Sequence, residues 1–284
     1  MNTGKISRRQ FLKKTTTLGA MMALSACDSL TVGPAKKPLD RLGVQLYTLR
    51  KELDENFAGT LKTVSELGYT ELEFAGYHNQ AFPDIIKIMA DLGLSAPAAH
   101  LYLETIRDDT DTAIDIAHVL GHKSIIVPWL EPNQRQSVDK YRQLADDLNI
   151  AGEKCRAEGI QLGYHNHDFE FMQLDSIRPY DLLLQETDPN LVKMELDLYW
   201  IAKAGLDPIE YLSAHENRFT LCHLKDMDTN GAMVDVGSGV INFAAIIPAA
   251  KKAGVKHYFV EHDKTTTPLQ ALENSFKAIS SLSV

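Results

Sequence analysis

Histidines and carboxylates are concentrated in one short stretch of the chain, residues 163–171, which reads GYHNHDFEF. The stretch comes directly after the apolar residues Ile160 and Leu162. Within it, His165 and His167 are followed by Asp168 and Glu170. Imidazole and carboxylate groups bind divalent metals and transfer protons near neutral pH. The spacing of two residues between the histidines places both side chains on the same face of an extended strand.

Comparable polar residues stand at the ends of other apolar segments, so this stretch is one of several. Their side chains are carboxylates, imidazoles and one amine, and the residues before each of them are mainly apolar. These residues are Glu73, His100, Glu195, Asp197, His223, Lys225 and Glu261.

The apolar segments number eight and alternate with longer segments of helical period. Several of the helical segments end in glycine, as in SELG and KKAG, where a left-handed residue reverses the chain. Eight strand–helix units in about 240 residues predict a single-domain α/β (β/α)8 TIM barrel over 41–284. A doubly wound open sheet is the competing fold, but no G-x-G-x-x-G sequence follows the first strand. The predicted strands are residues 41–47, 69–75, 94–100, 123–129, 160–166, 191–197, 219–225 and 256–262.

A barrel of this kind carries its chemistry where the strands end, which predicts that these polar side chains converge. Four of them, His165, Asp197, His223 and Glu261, come from four consecutive strands. We expect them to bind one divalent metal ion, because buried charges of this density need compensation. Mixed nitrogen and oxygen ligands suit manganese, cobalt, zinc or iron better than calcium. A hydrogen-bonded network without an ion is the alternative interpretation.

The N-terminus predicts an exported protein. Residues 1–26 contain two adjacent arginines, then FLKK and a short apolar run, as in a twin-arginine signal peptide. Residues 24–27, LSAC, are similar to a lipobox, which predicts a periplasmic protein anchored to the membrane by a lipid on Cys27, with residues 27–40 as a tether. A plain cleaved signal or a disordered basic N-terminus are the alternatives.

The charge of the chain argues against nucleic acid as a partner. The net charge is −9, and removal of the five basic residues of the predicted signal makes it about −14. A surface of this sign repels phosphates and gains nothing from an acidic membrane. We therefore expect a small-molecule partner, with membrane contact only through the lipid anchor; a homo-oligomer is left open.

Five motifs resemble the xylose isomerase-like barrels, a family that includes sugar phosphate isomerases and epimerases, ketose 3-epimerases and inosose dehydratase. The motifs are YHNHDFEF, MELDLYW, CHLKD, VGSGVINF and VEHD. The resemblance covers the chain from about residue 41 and implies that Asp197, His223 and Glu261 bind the metal. The fourth ligand of the family is commonly Glu, where this sequence has His165. The epimerases also place a His where this sequence has Trp200.

The resemblance implies proton abstraction next to a carbonyl, through an enediolate that a divalent ion stabilises. The candidate catalytic residues are His165, His167 and Glu261 as bases and Lys225 as a donor to the developing oxyanion. Because only one glutamate of the epimerase pair is present, a symmetric two-glutamate epimerisation is not expected. The candidate substrate-binding residues are Glu73, His100, Glu170 and Trp200.

The sequence therefore predicts a metal-dependent sugar isomerase or epimerase that acts on a keto-sugar or sugar derivative. A dehydratase or lyase acting on an inosose or a 3-keto-glycoside is one alternative, and a non-catalytic sugar-binding lipoprotein is another. A metal-dependent nuclease of the same superfamily is disfavoured by the charge. The glycines of VGSGV are interpreted as a turn, with a phosphate-binding loop as the alternative.

Overall fold

The computed structural model describes residues 39–283, and eight parallel strands close into a barrel within this range. The order around the barrel is β1-β2-β3-β4-β5-β6-β7-β10, with β10 paired to β1. The (β/α)8 prediction is confirmed. The barrel strands are β1 (Gly43–Gln45), β2 (Glu71–Phe74), β3 (Ser95–His100), β4 (Ser124–Val127), β5 (Gln161–His165), β6 (Val192–Asp197), β7 (Phe219–Leu224) and β10 (His257–Val260).

Within residues 39–283, ten α-helices follow or connect the strands. The predicted signal peptide and lipobox, and most of the predicted tether, lie outside the described residues. The helices are α1 (Arg50–Leu67), α2 (Phe82–Leu92), α3 (Leu103–Asp108), α4 (Thr110–Leu120), α5 (Val138–Ala157), α6 (Pro179–Glu186), α7 (Leu198–Lys203), α8 (Pro208–Ala214), α9 (Phe243–Ala253) and α10 (Pro268–Ser281). None of the helices in residues 39–283 combines the length and apolar character that a membrane span requires.

The interior of the barrel contains an apolar layer below a polar one. Gly43 and Gly163 make this packing possible, since a Cβ at Gly43 would lie 2.3 Å from the Phe259 ring and one at Gly163 would lie 2.5 Å from Ile126. Two residues after Ala98, Leu221 and Phe259, towards the C-terminal ends of their strands, the interior side chains are polar. The apolar layer consists of Ala98, Ile126, Leu221 and Phe259.

A short antiparallel hairpin after β7, which the sequence pattern did not predict, is formed by β8 (Asp226–Met227) and β9 (Met233–Val234). The buried carboxylate of Asp226 organises the glycine-rich loop that follows the hairpin. Gly237 needs its positive φ of 88°, and a Cβ at Gly239 would lie 2.3 Å from a backbone oxygen. The loop amides are thus already bound by a protein carboxylate, which favours the interpretation as a turn. Asp226 accepts hydrogen bonds from the N–H groups of Met227, Gly237, Gly239 and Ile241.

Candidate metal centre and active site

The four residues that the sequence predicted as metal ligands converge at the C-terminal mouth of the barrel. Each offers one ligand atom, and these atoms all lie within 4.8 Å of one another. The Nε2 of His165 lies 3.2 Å from Oδ2 of Asp197. The Nδ1 of His223 lies 2.9 Å from Oε2 of Glu261 and 3.7 Å from the same Asp197 oxygen. All four side chains are buried.

One of these atoms lacks the hydrogen bond that a buried polar atom normally makes. Among the described residues, Nδ1 of His223 makes no hydrogen bond of good geometry, although Oε2 of Glu261 lies only 2.9 Å away. A divalent cation accepts an imidazole nitrogen and a carboxylate oxygen together, so these residues fit a metal ion. The four residues therefore form a candidate metal-binding cluster.

Lys225 lies beside this cluster and is almost fully buried. Its Nζ lies 2.7 Å from Oε2 of Glu261, 3.1 Å from Oδ2 of Asp197 and 2.9 Å from Oδ1 of Asp263. Burial alone would lower the pKa of Lys225, but the three carboxylates hold it well above its usual value. The ammonium is therefore a fixed positive charge at the mouth of the barrel.

The protein environment also sets the protonation of the ligands themselves. Burial would raise the pKa of Asp197 and of Glu261, yet the adjacent Lys225 ammonium and the imidazoles hold both pKa values below the usual range. Burial lowers the pKa of His165, which favours the neutral imidazole. Burial would lower the pKa of His223, but the carboxylates of Glu195, Glu261 and Glu73 hold it well above its usual value, so metal binding would displace a proton from His223. Ionised carboxylates and neutral imidazoles are the forms that bind metals.

Glu73 and His100, predicted as substrate contacts, lie instead in a polar layer behind the ligands. The Oε2 of Glu73 lies 2.6 Å from Nε2 of His223, and His100 Nε2 lies 2.8 Å from Oε2 of Glu195. Glu73 and Glu195 are fully buried, and His100 is nearly so. The structure thus places the two carboxylates against the back of a ligand, because interior side chains of β2, β3 and β6 point to the barrel axis.

Aromatic rings enclose His167 on the side of the mouth formed by β4, β5 and β6. Its ring centroid lies 4.6 Å from Trp129, 5.0 Å from Trp200 and 4.9 Å from His165. Burial and the adjacent His165 hold the pKa of His167 well below its usual value. The Nδ1 of His167 and the Nε1 of Trp200 have no hydrogen-bond partner within residues 39–283. Both atoms are buried and unpartnered, so each could still make one hydrogen bond to a group that enters the site.

Glu170 is a third predicted substrate contact that the structure does not place at the mouth. Its carboxylate is fully buried and accepts hydrogen bonds from the Tyr164 hydroxyl, at 2.5 Å, and from the His167 N–H, at 2.8 Å. Tyr164 alternates with His165 along β5 and so points away from the barrel axis. Glu170 consequently fixes the backbone at the end of β5 and does not face a substrate.

We expect Glu170 to make stability depend on pH. Burial raises the pKa of Glu170 to about 7, so the folded protein binds a proton that the unfolded chain releases above a pKa of about 4.3. The contribution is therefore fully present below pH 4.3 and is lost as the pH rises through 7, by up to about 4 kcal/mol.

Chemical denaturation across this pH range, with Glu170→Gln beside the parent protein, measures the effect. The variant should show a flatter decline between about pH 4.3 and 7. Glu153→Gln, on the exposed face of α5, is the matched control and should follow the parent. An unchanged slope in Glu170→Gln would contradict the assignment.

Two positioning residues were missed by the sequence analysis. Asn166 bridges β5 and β6, because its Oδ1 accepts from the Asp197 N–H at 3.0 Å and its Nδ2 donates to the Asp197 carbonyl at 3.4 Å. Gln45 donates from Nε2 to Oε2 of Glu73 at 2.7 Å. Amides carry no charge and bind no metal strongly, so composition did not mark them; their positions at strand ends were the available signal.

The model of the xylose isomerase-like TIM barrel matches residues 61–281. The chain belongs to the xylose isomerase-like TIM-barrel family. Within this family, a curated inosose dehydratase from Geobacillus kaustophilus is 33% identical over 189 residues, which cover 59% of this chain and 61% of the relative. The chain thus aligns with about three fifths of that relative's length.

Solved structures of the family give the same fold. A sugar phosphate isomerase/epimerase from Parabacteroides distasonis superposes with a TM-score of 0.77 at 27% identity, covering 92% of this chain and all of the other. The zinc-bound IOLI protein superposes with a TM-score of 0.68 at 16% identity, covering 86% of this chain and 99% of the other. At such low identity the second likeness concerns the fold alone.

Proposed function

We propose that this protein is a metal-dependent isomerase or epimerase that removes a carbon-bound proton next to the carbonyl of a keto-sugar or sugar derivative. The observation that carries the proposal is the buried quartet of His165, Asp197, His223 and Glu261. The names of the relatives, inosose dehydratase and sugar phosphate isomerase/epimerase, support a sugar substrate. A divalent ion held by these residues would supply Lewis-acid polarisation of the carbonyl.

The protein's own groups would then bind the substrate and move the proton. His167 has a buried, unpartnered Nδ1 beside His165 and is the base we favour over His165 itself, whose Nε2 faces Asp197. Its pKa lies below the usual range, so it is neutral before the reaction, and the negative charge that develops on the substrate would have to stabilise its imidazolium form. The Lys225 ammonium would donate to the oxyanion that develops on the substrate. Trp200 would donate its free indole N–H to a substrate hydroxyl.

Dehydration is the second candidate reaction, and one feature of the site favours it. A neutral histidine, His165, stands where the family's ketose 3-epimerases have a second glutamate, so Glu261 lacks a symmetric carboxylate partner. An asymmetric site suits loss of a neighbouring oxygen substituent after proton removal, as the name inosose dehydratase implies for the relative. An inosose or a 3-keto-glycoside would be the substrate of that reaction.

The location of the protein remains part of the proposal. A twin-arginine signal and a lipid anchor at Cys27 would place it in the periplasm, where neutral sugars are more accessible than sugar phosphates. A non-catalytic sugar-binding lipoprotein would share this location and the barrel. It would bind sugar without exchanging any carbon-bound proton.

Deuterium exchange tests the proposal and separates these alternatives. The purified protein, loaded with Mn²⁺ and separately stripped with a chelator, would be incubated in D₂O with keto-sugars, inososes and 3-keto-glycosides. We expect deuterium at the carbon next to the carbonyl only with the metal-loaded protein. Return of the exchanged sugar as an isomer indicates the first reaction, and loss of water or of the glycosyl substituent indicates the second.

The Asp115→Asn variant, altered on the exposed face of α4, serves as the control and should exchange deuterium at the parent rate. Binding of a sugar without any exchange would contradict the proposed chemistry and favour the sugar-binding lipoprotein. Exchange that is equally fast in the stripped protein would contradict the role of the metal.

A further inference from the structure

The orientation of the His223 ring can be traced through a chain of hydrogen bonds that starts in the backbone. The backbone N–H of Tyr47 donates to Oε1 of Gln45 at 3.0 Å. This contact fixes the orientation of the Gln45 amide, so its Nε2 is the atom that faces the barrel interior. That nitrogen donates to Oε2 of Glu73 at 2.7 Å. The Glu73 oxygen is therefore identified as a hydrogen-bond acceptor.

The same Glu73 oxygen lies 2.6 Å from Nε2 of His223. When Glu73 is ionised its oxygens can only accept, so the proton of this second hydrogen bond then lies on the imidazole Nε2. A second carboxylate oxygen, Oε1 of Glu195, lies 3.2 Å from the same nitrogen. Glu195 is itself held by His100 Nε2, which contacts its other oxygen at 2.8 Å.

We propose that Glu73, oriented by Gln45 and assisted by Glu195, is a positioning residue that holds His223 as its Nε2–H tautomer, so that His223 binds the metal through Nδ1. This inference rests on the proposed metal site. The Nδ1 atom is the ring nitrogen that faces Glu261, at 2.9 Å, and it has no hydrogen-bond partner within the described residues. A carboxylate behind a ligating imidazole also increases its basicity and fixes its angle.

The polar layer behind the ligands therefore has a role distinct from substrate binding. A competing interpretation is a second cation between Glu73, His100, Glu195 and His223, whose ligand atoms also lie within 4.8 Å of one another. The hydrogen bonds from Gln45 and His100 occupy Oε2 of each carboxylate and leave Oε1 of Glu73 and of Glu195 without a hydrogen-bond partner among the described residues. Our inference needs only one ion per chain, so the two interpretations differ in stoichiometry.

Long-range ¹H–¹⁵N NMR of the zinc-loaded protein tests the tautomer directly, because the two ring nitrogens have different shifts when protonated and when bound to metal. The His223 signals are identified by their loss in His223→Asn. We expect a protonated Nε2 and a metal-bound Nδ1, with one zinc per chain by elemental analysis. A metal-bound Nε2, or a second zinc that Glu73→Gln removes, would overturn the inference while leaving the proposed function intact. Failure to bind zinc at all would overturn both.

Variants of Glu73 provide an independent measurement. Glu73→Met removes the acceptor and should weaken zinc binding by about 10- to 100-fold, the usual effect of losing such a partner. Glu73→Gln retains an acceptor oxygen and should recover most of that loss together with the Nε2–H signal. Unchanged zinc affinity in Glu73→Met would contradict the role of Glu73.

The matched control is Glu71→Met, two residues earlier on β2. Its carboxylate also contacts an imidazole, Nδ1 of His257 at 2.8 Å, but at the opposite end of the strand. This variant loses a buried carboxylate–imidazole contact without affecting His223. It should bind zinc with parent affinity, which separates positioning of the ligand from general loss of stability.

Discussion

Replacement of Lys225 by Met should remove most of the catalytic turnover. The affinity of the protein for the metal should rise. The ammonium lies within 3.1 Å of Asp197, Glu261 and Asp263 and is the donor nearest the ligands. Loss of one preorganised donor to an oxyanion slows catalysis by about 10²- to 10³-fold. Loss of a positive charge beside the site should favour a cation, so metal affinity should rise.

The same variant should be strongly destabilised when the metal is absent. Three carboxylates would then be buried without their ammonium partner, and breaking a buried ion pair in this way costs about 3–5 kcal/mol. Denaturation in the presence of a chelator and of Mn²⁺ should show a larger stabilisation by metal than in the parent protein. Calorimetry and the rate of deuterium exchange provide the other two readouts.

Lys123→Met is the control, since Lys123 is exposed at the N-terminal end of β4, away from the mouth. It should keep the exchange rate, the metal affinity and the stability of the parent. Parent-like turnover in Lys225→Met would show that the ammonium has no part in the reaction.

Replacement of Asp197 by Asn should abolish metal binding with little loss of structure. The Oδ1 of Asp197 caps α7 by accepting from the Trp200 N–H at 3.0 Å, and asparagine can retain this contact. The Oδ2 faces His165 and the predicted metal position, where an amide nitrogen cannot bind a cation. We expect metal affinity to fall by more than about 100-fold. Loss of a residue that only supports a metal ligand costs about 10- to 100-fold, and loss of the ligand itself should cost more.

Exchange of the substrate proton should fall with the metal affinity in Asp197→Asn, by about 10²- to 10³-fold or more. The circular dichroism spectrum should stay that of the parent, which shows that the barrel is intact. Asp115→Asn again provides the control. Full metal occupancy in Asp197→Asn would show that the metal binds elsewhere in the molecule.

The sequence predicted the barrel well because two local signals agreed along its length. Apolar segments of strand length alternated with helical periods, and glycine marked the helix ends. Gly68, Gly93, Gly159 and Gly254 all have positive φ in the structure. The hairpin at Asp226 was not predicted, because its two-residue strands are too short to give a periodic pattern.

The convergence of His165, Asp197, His223 and Glu261 was also predictable from sequence, since alternation along each strand decides which side chains reach the interior. The alternation of side chains does not show how far along the barrel axis an interior side chain lies. Glu73 and His100 share the interior with Asp197, but the structure places them behind His223 instead of facing a substrate. Glu170 was misplaced for a related reason, since a loop residue has no alternation to fix its direction.

The central claim is that His165, Asp197, His223 and Glu261 bind one divalent ion together. Anomalous diffraction from crystals grown with Mn²⁺ or Zn²⁺ measures this directly. We predict one anomalous peak per chain, bounded by Nε2 of His165, Nδ1 of His223 and carboxylate oxygens of Asp197 and Glu261. The absence of a peak among these atoms in metal-saturated crystals would contradict the account.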